Sequence, residues 1–279
     1  MWLVCDDRWG FRLQHLHIPC PSLSASLRIL HLSDAHIMPR DTAKCEFIRR
    51  ITDDDYDLIC FTGDVAEVPE TEALIPDLLS RPPRLGAYIV LGNHDHLRQP
   101  WAVMLEEFIT QKYTGKGQRS LVAEQKARYE AQGRWRVLVN EAVTHRVDEQ
   151  TVTIVGIDDP MTGGGDLALA MRGIKRSDCL IGLVHVPTDL ASFSQRSFHL
   201  VLSGHTHGGQ VRFPGIGALT TQCDLPRSLA RGLHWNERTA VHISEGLGAG
   251  PLIRLRMNCP PRAHVITLGP AHVGGKGTL

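Results

Sequence analysis

Short apolar runs alternate with polar punctuation along most of the chain. Six runs of strand length are apolar almost throughout: LRILHLS (27–33), DLICFTG (57–63), GAYIVLG (86–92), TVTIVGI (151–157), CLIGLVH (179–185) and HLVLSG (199–204). A strand with one wet face alternates apolar and polar residues, whereas a continuous run belongs to a strand covered on both faces. Between the early runs lie AKCEFIRRI (43–51) and TEALIPDLLS (71–80), which read as amphipathic helices. The first third thus predicts βαβαβ, with helices laid over a sheet. Later runs, WRVLV (135–139), AVTHRV (142–147), AVHIS (240–244) and HVITL (264–268), predict a second sheet packed on the first. The expected fold class is α/β, a two-sheet β-sandwich flanked by helices, in a single domain over residues 1–279. Residues 100–132 stand apart as a small helical insertion. PWAVMLEEFITQKY and SLVAEQKARYEAQG look helical around the glycine-containing link TGKGQR. Trp101, Met104, Leu105, Phe108 and Ile109 form one apolar stripe, expected to pack on the sandwich, while Lys112, Lys116, Arg119, Lys126 and Arg128 around the link suggest a mobile basic flap beside the site.

The polar residues that follow these strands are of one chemical kind. LRILHLS runs into Asp34 and His36, DLICFTG into Asp64, and GAYIVLG into Asn93, His94 and Asp95. CLIGLV runs into His185, and HLVLSG into His205 and His207. In open α/β sheets ligands bind beyond the strand carboxyl ends. Five strands therefore bring carboxylates, imidazoles and an amide to one edge, the donor set of a divalent-metal site. On an extended chain residues i and i+2 point the same way, so Asp34 with His36, and His205 with His207, could share an ion or take one each. Taken singly, each block has a bland reading as a turn, a cap or a core histidine. Their joint occurrence, each at a strand end, overturns it. His31 is expected to pack or hydrogen-bond within the first strand. His15, His17, His96, His145, His199, His234, His242, His264 and His272 are read as structural or surface residues, with His96 near enough to touch a substrate.

Composition narrows the function. The chain is 42% hydrophobic and 22% charged with zero formal net charge, which disfavours binding nucleic acid through a basic surface. A small phosphorylated substrate needs only a local cation. The seven cysteines, Cys5, Cys20, Cys45, Cys60, Cys179, Cys223 and Cys259, are scattered singly without a C-x-x-C pair, so free thiols in a reducing compartment are expected. No stretch approaches the ~18 apolar residues of a membrane span, and the start is too short and too acidic for a signal peptide. The expected location is cytoplasmic, with peripheral contact to the inner face of a membrane left open and no obligate protein partner.

In this order the blocks resemble a known family, the calcineurin-like metallophosphoesterases: Asp-x-His, Gly-Asp, Gly-Asn-His-Asp, a lone His, then Gly-His-x-His. IDDP (157–160), SGHTHGGQV (203–211), ARGL (230–233) and EGLGAGPLIRLRMNCPPRAHVITL (245–268) are similar to a bacterial branch. That branch includes phosphodiesterases and the UDP-2,3-diacylglucosamine hydrolase of some lipid A pathways. The resemblance implies a four-layer αββα fold and two divalent ions, Mn²⁺ favoured over Fe or Zn²⁺. One ion would be held by Asp34, His36, Asp64 and His207, the other by Asp64, Asn93, His185 and His205. It implies hydrolysis of a phosphodiester or pyrophosphate bond by a bridging hydroxide, with His94 serving the leaving oxygen and Asp95 orienting His94. The substrate would be small or lipid-linked. A protein or nucleotide phosphatase of the same superfamily is the alternative, and a non-catalytic metal-binding module a remoter one. The chain departs from the branch in having no leading membrane helix, in HVP (185–187) where HNP is common, and in Glu245 where an arginine often stands. The last removes a positive charge near the expected substrate.

Overall fold

The structure is a computed structural model describing residues 4–6, 10–110, 112–119, 122–174, 176–250 and 254–270; His272 and the side chains of Cys5 and Phe108 lie outside the described part. Twelve strands make up its two large sheets. In chain order they are β1 (Arg12–Pro19), β2 (Leu27–Leu32), β3 (Leu58–Thr62), β4 (Ala87–Val90), β5 (Arg136–Val137) and β6 (Glu141–Val147). The rest are β7 (Gln150–Gly156), β8 (Cys179–Leu183), β9 (Leu200–Ser203), β10 (Gly232–Asn236), β11 (Thr239–Ile243) and β12 (Arg262–Gly269). The first sheet runs β1-β12-β2-β3-β4-β5 and the second β10-β11-β9-β8-β7-β6. Strands β2 to β5 are parallel to one another, and so are β7, β8, β9 and β11. Their carboxyl ends therefore open on common edges, and the loops that leave them carry the polar blocks.

The continuous apolar runs are explained by three hydrophobic layers. Alternate residues of the first sheet, Ile29, Leu58, Cys60 and Val90, face Ile154, Ile181, Leu183 and Leu202 of the second. The intervening residues, Leu30, Leu32, Ile59 and Phe61, face Phe47, Ile48 and Ile51 on helix α1 (Thr42–Thr52). On the far side of the second sheet Val155, Leu180, Val184 and Val201 pack with Phe193 and Phe198. The expected helix–sheet–sheet–helix order is present. Each such aliphatic side chain contributes roughly 1.5–3 kcal/mol on full burial, so both faces of a strand stabilise the sandwich.

Three local expectations change. Residues 71–80 do not form one helix: a short turn, α2 (Pro69–Glu72), is followed by a 3₁₀ turn at Ile75–Leu78. Pro76 lies in the middle of that segment and cannot supply a helical N–H. Strand β1 pairs in parallel with β12 along eight residues, although RLQHLHIP is too polar to stand out as a buried strand. Arg136–Val137 is all that remains of the run at 135–139, and both it and HVITL, within β12, pair into the first sheet and not, as expected, the second.

Candidate metal centre

Five loops converge where the parallel strands end, and backbone hydrogen bonds join four of them in two pairs. Asp34 N–H donates to Gly63 O (3.0 Å), His36 N–H to Asp64 O (2.9 Å) and Gly204 N–H to His185 O (2.9 Å). The chain kinks sharply to turn side chains inward. Asp34, His36, Asp64, His205 and His207 all have left-handed backbones, with φ between 43° and 69°. The i, i+2 pairs thus meet through kinks and not, as expected, through extended alternation. Holding non-glycine residues there costs on the order of 1–3 kcal/mol each, a strain typical of functional sites. Gly92 has the opposite need: a Cβ there would strike the Asp64 carboxylate and lie 2.8 Å from His185.

The orientation of each imidazole is fixed by one ring nitrogen. His185 Nδ1–H donates to Thr62 O (2.7 Å), His205 Nε2–H to Gln222 O (3.1 Å) and His207 Nδ1–H to Gly248 O (3.3 Å). His36 Nδ1 faces Glu67 Oε2 at 2.7 Å. The other nitrogens turn toward further lone pairs. His36 Nε2 lies 3.2 Å from His207 Nε2 and 3.5 Å from Asp64 Oδ2, and His207 Nε2 lies 3.7 Å from Asp34 Oδ1. His185 Nε2 is buried without a hydrogen-bond partner, 3.2 Å from Asp64 Oδ2, and His205 Nδ1 faces Asn93 Oδ1 at 3.2 Å. Atoms about 2.1 Å from a common ion are themselves roughly 3.0–3.4 Å apart, so these spacings fit metal coordination.

The electrostatics agree. Asp34 and Asp64 are buried, and among the described residues no lysine or arginine pairs with either. Burial would lower His185, but Asp64 and Asp34 push it up to about 10; burial would lower His36 too, and Glu67 with Asp64 raises it. Burial and the neighbouring His185 hold His205 down to about 4, so that ring stays neutral. The carboxylates that raise His36 and His185 make the centre anionic, a setting that would favour divalent cations. The groups Asp34–His36–His207 and Asp34–Asp64–His185 each bring ligand atoms within 4.8 Å of one another, as does His36–Glu67–His94.

A family profile for calcineurin-like phosphoesterases matches residues 27–209, which span every one of these ligands. The chain belongs to that family. It is 28% identical to the uncharacterized metallophosphoesterase YkoQ of Bacillus subtilis (strain 168) over 227 residues, covering 80% of this chain and 76% of that one. It is 29% identical to YkuE, a second uncharacterized metallophosphoesterase of that organism, over 248 residues, covering 86% and 78%. Phosphodiesterase YaeI of Escherichia coli (strain K12) is 35% identical over 86 residues, 31% of each chain. The protein is accordingly a phosphoester hydrolase with candidate divalent-metal ligands.

Within this phosphoesterase two residues act otherwise than expected, and a third was not foreseen. Asp95 does not touch the His94 ring. Its carboxylate accepts from the backbone N–H groups of Asp64 (2.7 Å) and Gly92 (2.9 Å) and from the Tyr129 hydroxyl (3.1 Å), so it clamps the two ligand loops together. Glu245 lies inside the protein, not beside the cleft. It pairs with Arg262 (2.8 Å) and His264 (3.1 Å), which against the effect of burial hold its carboxyl down to about 2. Glu67, which no pattern singled out, orients His36; a lone glutamate three residues past Gly-Asp carries no periodic signal. His94, on the short turn α3 (Asn93–His96), is half-buried, its ring 5.1 Å from that of His36 and its backbone N–H donating to Asp64 Oδ1 (3.0 Å). Val186, at the departure from HNP, is fully buried.

Above the centre a cleft of about 290 Å³ is lined by Asp64, Asn93, His94, His205 and His207 below, with Met104, Tyr113, Met161, Val211 and Leu219 as apolar walls. Met104 belongs to α4 (Trp101–Thr110), and Lys112 and Tyr113 follow it. The insertion is more firmly tied than its glycine link suggested. Gln118–Arg119 pairs with Leu97–Arg98 as a two-residue ribbon, and α5 (Val122–Tyr129) closes the segment. Its basic residues are largely spent: Lys116 pairs with Glu106, Lys126 with Glu141 and Arg128 with Glu72. Along the apolar stripe of α4, Met104 turns into the cleft, whereas Trp101 and Ile109 are 69% and 70% exposed and Leu105 is exposed as well. Among the described residues no helix is long and apolar enough to cross a membrane, and the six described cysteines are free.

Proposed function

We propose that the chain is a binuclear metal-dependent hydrolase of a phosphodiester or pyrophosphate bond, using Mn²⁺ and acting on a small amphipathic or lipid-linked substrate such as UDP-2,3-diacylglucosamine. One observation carries the reading: Asp64 Oδ2 faces His36 Nε2 at 3.5 Å and His185 Nε2 at 3.2 Å. A single carboxylate oxygen thereby serves two adjoining pockets. Asp34, His36, Asp64 and His207 would hold one ion, and Asp64, Asn93, His185 and His205 the other. Divalent ions at such a site supply Lewis acidity toward a phosphoryl group and toward water. The chain's own residues do the rest. Asp95, through the backbone of Asp64 and Gly92, keeps the shared carboxylate and the Asn93–His94 turn in register. His94, which lines the cleft, would donate a proton to the departing oxygen. Lys112 supplies a cation for a second charged group of the substrate.

The apolar walls and the exposed face of α4 favour a substrate with a hydrophobic part, and the name of the E. coli relative agrees with a diester bond. A Mn²⁺-supplemented screen would compare UDP-2,3-diacylglucosamine, an aryl phosphodiester, cyclic nucleotides and a phosphomonoester. Diester or pyrophosphate turnover should exceed monoester turnover by about tenfold or more, the scale of ordinary substrate discrimination. A preference for the monoester would replace this reading with a phosphatase.

A further inference from the structure

A polar seam crosses the interface between the two sheets. His31 on β2 and His242 on β11 are fully buried, and their Nδ1 atoms lie 2.9 Å apart. His264 on β12 packs against His242, ring centroids 4.4 Å apart. Burying unpaired imidazoles inside a hydrophobic core is costly. On the other side His31 Nε2 lies 2.8 Å from Thr62 Oγ1, Thr62 Oγ1 lies 2.8 Å from Ser33 Oγ, and Ser33 Oγ lies 2.5 Å from Asp34 Oδ2. The chain of contacts runs from the middle of the sandwich into a carboxylate of the metal centre.

Its direction is set by the hydroxyls: Ser33 Oγ donates its one proton to Asp34 Oδ2 and so can only accept on its other side. Ser33 Oγ then accepts from Thr62, and Thr62 Oγ1 accepts from His31 Nε2–H. His31 is neutral, because burial drives it well below its ordinary value, so its Nδ1 is bare and accepts from His242 Nδ1–H. Every hydrogen points toward Asp34. The other oxygen, Oδ1, accepts the His205 backbone N–H at 2.9 Å and faces His207 Nε2 at 3.7 Å.

We propose that His242, His31, Thr62 and Ser33 form a directional hydrogen-bond chain that pins Asp34 through Oδ2 and so presents Oδ1 to the metal. His31 and His242 are positioning residues that reach the centre from the sheet interface. The proposal rests on Asp34 being a metal ligand, as in the function proposed above.

Mn²⁺ binding to chelator-stripped protein, measured by calorimetry, tests it without relying on turnover. Thr62→Val cuts the chain with almost no change of shape, and Thr62→Ser keeps the hydroxyl. Thr62→Val should weaken Mn²⁺ binding roughly 10–100-fold, the usual effect of losing a residue that orients a metal ligand. Thr62→Ser should stay within about threefold of wild type by the same measure. His31→Leu should behave like Thr62→Val, and His31→Gln, whose amide can donate to Thr62, should recover most of the affinity. Should His31→Leu fail to fold, the threonine pair decides alone. Wild-type affinity in Thr62→Val would overturn the chain while leaving the metal site standing. Equal losses in His31→Gln and His31→Leu would overturn it too, by showing that the histidine only fills space. A wild-type protein that bound no Mn²⁺ would overturn both this inference and the function beneath it.

Discussion

His94 is the residue whose role separates chemistry from metal binding. Its neighbours on either side are spoken for, Asn93 facing His205 Nδ1 and Asp95 clamping two backbones, whereas the His94 ring stands at the mouth of the cleft. His94→Ala should therefore retain close to wild-type metal content by elemental analysis and lose about 10²–10⁴-fold in turnover, the scale of a missing acid–base group. Collapse of the metal content would make His94 a ligand instead. At this scale the sequence was most legible where chemistry forces residue type. Only carboxylate, imidazole and amide groups suit the site, and they stand in recognisable blocks directly after strands. The residues that orient them were not legible. Glu67 acts through its carboxylate, and Thr62, Gln222 and Gly248 orient their histidines through backbone carbonyls, so almost any local sequence could supply the contact. Asp95 misled for a related reason: adjacency to His94 suggested a partner, but the helical turn at Asn93–His96 aims its carboxylate at backbone amides.

Among the elements, the insertion carries most of the specificity argument. Its apolar stripe was evident from helical spacing, and its exposure was not, because periodicity tells which residues share a face and not what covers that face. The basic residues around the glycine link suggested a mobile charged flap. Ion pairs and the ribbon with Leu97–Arg98 tie most of them down, leaving Lys112 at the cleft. Replacing residues 103–130 with a short Gly/Ser link removes Met104, Lys112 and Tyr113 from the cleft and also Tyr129, which donates to Asp95. Hydrolysis of a small aryl phosphodiester should survive this change, whereas activity on an acylated substrate should fall by about tenfold or more, the scale of lost apolar contacts. Equal losses on both substrates, compared by kcat/KM, would mean that the segment supports the metal loops and does not choose the substrate.

For the whole molecule, the sandwich explains why the centre can exist. Parallel strands buried on both faces send their loops to one edge, and the apolar layers hold five left-handed kinks that isolated loops would not keep. The run-and-punctuation pattern foretold the layers well, since burial on two faces leaves little freedom in residue choice. It foretold the edge strands poorly, because β1 and β10 are only partly covered and their polar residues dilute the signal. The central claim is that this scaffold holds two catalytic divalent ions about one shared carboxylate. The most direct test is to follow hydrolysis of an aryl phosphodiester by chelator-stripped protein as Mn²⁺ is added back, with bound metal counted in the same samples. The account predicts no turnover in the stripped protein, recovery that levels off near two ions per chain, and neither recovery nor full binding in Asp64→Ala. Turnover by the metal-free protein, or full recovery in Asp64→Ala, would contradict it.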